Sequence, residues 1–118
     1  MIDGAHVIVY SRDPAADRAF LRDVVGFGHV DAGDGWLVFA LPPAELAVHP
    51  AETNDAHELY FMCADIRAEM AALESRGARC EELRVASWGM FTRIPLPGGG
   101  SVGLYQPRHA TAVARSGA

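Results

Sequence analysis

The chain has 118 residues, 50% hydrophobic, 21% charged and 8% aromatic, which suits one domain with a single core and excludes a multidomain reading. Ten Lys and Arg against fifteen Asp and Glu leave a formal charge of -5, so the cationic field that draws proteins to nucleic acid is missing. The opening MIDGAHVIVY has no basic stretch and no small-residue cleavage site, and no apolar run is long enough for a bilayer; a cytoplasmic protein with no membrane and no nucleic-acid partner is expected.

Residues 5–10 (AHVIVY) are β-branched and mostly apolar, the pattern of a buried strand. Asp13-Pro14 then opens a helix, because Asp caps free amides and Pro at the first helical position forfeits no hydrogen bond. Phe20, Leu21, Val24 and Val25 form its apolar stripe and Gly26 ends it. Strands are expected at 28–31, at 36–41 after the Gly-Asp-Gly turn, and at 45–49 after Pro42-Pro43.

The second half repeats this β-α-β-β-β order. A strand at 58–62 leads to a helix capped by Asp65, striped by Ile66, Met70 and Leu73 and ended by Gly77. Strands follow at 79–83, 88–94 and 101–105, with a hairpin turn at Gly98-Gly99-Gly100. His6 and Glu58 each stand seven residues before a helix cap, and Glu45 overlays Gly103 in the last strands. The fold expected is α+β: two tandem βαβββ modules, about 4–50 and 57–107, forming one domain over 1–107 whose mixed sheets enclose a cleft. Residues 108–118 have no clear period and are expected to fray. Cys63 and Cys80 read as two small apolar residues, since two cysteines make neither a disulfide framework nor a zinc motif.

Alternation puts His6, Ile8 and Tyr10 on one face, Glu45, Ala47 and His49 on another, and Glu58, Tyr60 and Met62 on a third. Carboxylates converging on a sheet interior repel unless a cation lies between them. A divalent metal on His6, Glu45 and Glu58 would meet that need, and one imidazole with two carboxylates suits Mn, Fe, Ni or Zn with open positions. His49 is a substitute ligand or general base, or else a solvated histidine at a strand end. Trp36, Tyr60, Trp88, Phe91 and Tyr105 are candidate walls of a pocket for a flat organic molecule, or core aromatics. Arg93 is a candidate partner for a substrate carboxylate, or a solvated strand residue.

The paired halves, the first-strand His6, Glu45-Leu46, the Asp-capped second helix and the closing LPGGGSVGLYQP over 96–107 resemble the vicinal oxygen chelate superfamily. This superfamily includes glyoxalase I, extradiol dioxygenases and bleomycin-binding resistance proteins. The resemblance runs from Gly4 to about Pro107 and implies metal positions at His6, Glu45, Glu58 and Gly103. Glu58 departs from the histidine usual in glyoxalase I, although His57 restores it if the register slips by one, and Gly103 offers no donor. Two functions follow. One is a glyoxalase-like metalloenzyme, of lyase, isomerase or dioxygenase type. Its divalent metal chelates vicinal oxygens of a small substrate while Glu45 or His49 moves the proton. The other is a metal-free protein that binds or sequesters a small organic ligand. A homodimer is expected in either case, because a lone chain leaves a sheet edge and a cleft open.

Overall fold

Asp13 and Asp65 each start an α-helix. In the computed structural model, which describes residues 6–45 and 47–112, Asp13 accepts the Ala16 amide at 3.2 Å and opens α1 (Pro14–Phe20). Asp65 accepts the Ala68 amide at 3.2 Å and opens α2 (Ile66–Ser75). Each carboxylate satisfies a first-turn donor that has no intrahelical partner. The first helix continues into a π-helical turn, Leu21–Val25, closed by Gly26 at φ 88°, a left-handed conformation that glycine adopts without strain.

A short ribbon pairs β1 (His29–Asp31) with β2 (Leu37–Phe39), and the Asp31 carboxylate holds its turn by accepting the Gly33 and Gly35 amides at 2.8 and 3.2 Å. The larger sheet contains β3 (Tyr60–Met62), β4 (Arg84–Ala86), β5 (Gly89–Pro95) and β6 (Ser101–Pro107), in the order β3-β6-β5-β4. β3 is parallel to β6 and the other pairs are antiparallel. The fold is α+β, and the second half has the complete β-α-β-β-β order.

Apolar positions of α2 decide which face of this sheet is covered. Ile66 and Leu73 meet Cys63, Ile94, Val102 and Leu104 in one core cluster, and Phe20 and Val24 of the first half pack against it. Burying such side chains stabilises by roughly 1.5–3 kcal/mol each. Polar ties also join the halves: Asp17 Oδ1 accepts the Gly98 amide at 2.7 Å, and Arg76 Nε donates to the Val24 carbonyl at 2.7 Å.

Some expected strands take another form. Residues 6–10, 45 and 47–49 adopt no strand, and their apolar side chains face solvent, with Tyr10 88% and Val48 90% exposed. A β segment satisfies its backbone only beside a partner strand, and a single chain gives these two none. The stretch 79–83 is also not a strand. The Glu81 amide donates to the Arg93 carbonyl at 2.9 Å and the Glu81 carbonyl accepts the Thr92 hydroxyl at 2.8 Å, an isolated contact with β5, and the regular register begins at Arg84. Ala5, Leu46 and residues 113–118, parts of the expected strands and tail, lie outside the described residues. Among the described residues, no helix is long and apolar enough to cross a membrane.

Candidate functional site

Strand alternation carries a set of rings to the sheet face away from α2. Register pairs Tyr60 and Arg93 with Gly103, and Phe91 with Tyr105, so these side chains share one side of the pleat. Trp88 stacks on Phe91, with centroids 4.8 Å apart and planes at 23°. Tyr105 meets Tyr60 and Trp88 edge to face, each at 5.6 Å, the geometry favoured by ring quadrupoles. Trp88 remains 40% exposed. Of the six pocket candidates, Tyr60, Trp88, Phe91, Arg93 and Tyr105 come together here, while Trp36 stands apart beneath the Arg18 guanidinium at 4.5 Å.

Gly103 is at the centre of this face. A Cβ on Gly103 would collide with the ring atoms of Tyr60, so the missing side chain is what lets that ring approach β6 so closely. Arg93 covers the same ring, its Cζ 5.5 Å from the centroid. Its Nε donates to Ser101 Oγ at 2.9 Å and its Nη2 to the Ser101 carbonyl at 3.1 Å. Its Nη1 reaches Glu58 Oε2 only at 3.5 Å.

Residues just past β6 fold along the rim. The Arg108 amide donates to the Trp88 carbonyl at 2.9 Å. The His109 ring stacks on Tyr105 at 5.9 Å, with Nε2 3.3 Å from the phenol oxygen. Sequence reasoning had no role for Ser101 or His109. Ser101 is two residues before Gly103 and so on the same face, a signal that alternation carries; His109 has no periodic context that marks it.

The proposed metal donors are dispersed in the single chain. His6 and His49 are exposed on segments without strand structure. Glu45 accepts the Ala112 amide at 2.7 Å, and Glu58 faces Arg93. Among the described residues no group of three His, Cys, Asp or Glu is placed to hold a metal. A carboxylate beside a guanidinium and a glycine covered by a tyrosine ring do not make a donor set that fits a divalent ion. A groove of about 370 Å³ along the start of α2 and another of about 350 Å³ between Tyr10 and Gly98 lie away from the aromatic face.

No family model matches the chain. Uncharacterized protein YaeR of Escherichia coli (strain K12) is 30% identical over 121 residues, spanning 86% of this chain and 93% of that protein. TnmS3, an antibiotic binding protein from Streptomyces sp. CB03234, has the same fold at TM-score 0.60 and 22% identity, covering 87% of this chain and 99% of its own. Lactoylglutathione lyase from Agrobacterium tumefaciens superposes at TM-score 0.61 and 18% identity, over 88% and 92% of the two chains. A glyoxylase/bleomycin resistance protein/dioxygenase domain from Frankia sp. EAN1pec gives 0.63 at 14% identity, over 92% and 100%. The match to YaeR along nearly its whole length places this chain in the same family as that protein, and the solved structures show that it has the glyoxalase/bleomycin resistance fold.

Proposed function

We propose that the protein binds a flat organic small molecule on the aromatic face of its four-stranded sheet, without a metal, and that two copies together enclose it. The observation that carries this reading is the Tyr60 ring lying over Gly103, with Arg93 covering the ring and facing Glu58. At the two second-half positions where the superfamily resemblance implies metal donors, this chain has a ring and an ion pair. The exposed Trp88 indole, the Tyr60 and Tyr105 rings and a guanidinium provide stacking surfaces and a polar handle instead.

The homodimer is supported by exposed apolar surface. Val7, Ile8, Val9 and Tyr10 are 43–88% exposed and Val48 is 90% exposed; in a dimer these segments would gain strand partners and form the opposite wall of the cleft. Metal-assisted chemistry through His6, Glu45 and Glu58 would need those residues to converge across the dimer and Glu58 to leave Arg93.

Nuclear magnetic resonance on chelator-dialysed protein tests the binding reading. Titration with 2-naphthamide should shift the Trp88 indole N–H signal saturably and leave that of Trp36 in place. A spectrum unmoved by 2-naphthamide and by related two- and three-ring compounds would remove the basis for this function. Sedimentation should show a dimer at micromolar concentration; a species of only 12.6 kDa would remove the shared cleft.

A further inference from the structure

Resting on that reading, we infer that the ligand of the aromatic face is an anion: a planar aromatic carboxylate, or an acid of the same shape, whose charged end replaces Glu58 on Arg93. The guanidinium is held from behind. Two of its donors are fixed on Ser101 at 2.9 and 3.1 Å, and its Cζ stands over the Tyr60 ring at 5.5 Å from the centroid, so its orientation does not depend on Glu58. The Glu58 contact is the weak one. At 3.5 Å it is well beyond the roughly 2.7–2.9 Å of a strong charge-assisted bond, and the Glu58 side chain is 66% exposed, where ion pairs contribute little.

Arg93 is therefore an oriented cation with donor capacity left over and a loosely placed anion beside it. Its place on the sheet sets the shape of the incoming acid. The Tyr60 ring beneath it adjoins Tyr105 at 5.6 Å and Trp88 at 6.5 Å, so a carboxylate on Arg93 directs an attached ring system along these side chains. Arg84, paired in register with Phe91 and exposed at the sheet edge, adds a second positive charge to that side. Glu58 is the carboxylate that the structure places beside Arg93, whereas Glu45 is engaged by the Ala112 amide. Glu58 then discriminates: it competes with weak anions and is displaced only by an acid that also gains the ring contacts.

The test compares two probes of one shape, 2-naphthoate and 2-naphthamide, by calorimetry on the full chain, with the Trp88 indole signal reporting location. The parent should bind naphthoate about tenfold more tightly than naphthamide, as expected for exchanging a neutral for a charged hydrogen bond. Glu58→Gln should raise that ratio by a few fold, since it removes the competing anion, and Arg93→Gln should bring it close to one. A parent ratio of one or less overturns the inference, as does a ratio that Arg93→Gln leaves intact. If Arg93→Gln fails to fold, Glu58→Gln alone decides, because its exposed side chain is removable and an unchanged or lower ratio contradicts competition. Equal binding of both probes at Trp88 overturns the anion and leaves the binding site standing; no shift of Trp88 with either probe overturns both.

Discussion

The ring of Tyr60 lies across the backbone of Gly103, its register partner in the parallel pair of β3 and β6. A side chain at 103 and the ring at 60 cannot occupy the same space. Gly103→Ala should therefore destabilise the fold by about 1–3 kcal/mol, the range for overpacking a filled site. Tyr60→Ala should absorb much of that effect, so the two changes together cost less than their sum. Thermal or urea unfolding of the four proteins measures the coupling; strict additivity would mean that the two residues do not meet.

Asp17 is 6% exposed and joins the halves through one bond, from the Gly98 amide to Oδ1 at 2.7 Å; its Oδ2 is buried with no partner. Asp17→Ala should cost about 1–3 kcal/mol, because it leaves the Gly98 amide without its acceptor. Asp17→Asn keeps that acceptor and removes the buried charge, so its stability should equal or exceed that of the parent. Chemical denaturation compares the three, and an Asn variant as weak as the Ala variant would contradict this account.

Burial, with a smaller contribution from Glu74, pushes the Cys80 thiol above its ordinary range. Its thiolate is then scarce at neutral pH, and alkylation of the native protein should be slower than that of a free cysteine, rising with pH past the usual thiol range. The folded state holds the proton that the unfolded chain releases, so the stability owed to this group is complete below the unfolded pKa and declines as pH rises toward the folded one. Mass spectrometry of iodoacetamide adducts against pH follows the first effect, and a rate that levels off near neutrality would contradict it.

Features decided by neighbours in sequence were legible before the structure. Asp13, Asp65 and Gly26 mark helix ends because capping and left-handed turns are local chemistry. Alternation likewise set Glu58 with Tyr60 and Met62. What alternation does not contain is which strands lie side by side. The Tyr60 ring over Gly103 depends on β3 pairing in parallel with β6, across forty-three residues of sequence. The pairing of Arg93 with Glu58 depends on the same register. Residues 6–10 carry a strand's composition, yet strand structure also needs a partner, which composition does not supply. His109 finds Tyr105 by a turn after β6 that leaves no periodic trace.

Elemental analysis of protein purified without an affinity tag decides whether the aromatic face binds its ligand without a metal. Dialysed protein should hold well under one equivalent of Mn, Fe, Ni or Zn. Adding each ion back should leave the affinity for 2-naphthoate and the Trp88 shift unchanged. One tightly held equivalent per chain, lost in both Glu45→Gln and Glu58→Gln, would contradict the account and return the site to metal-assisted chemistry.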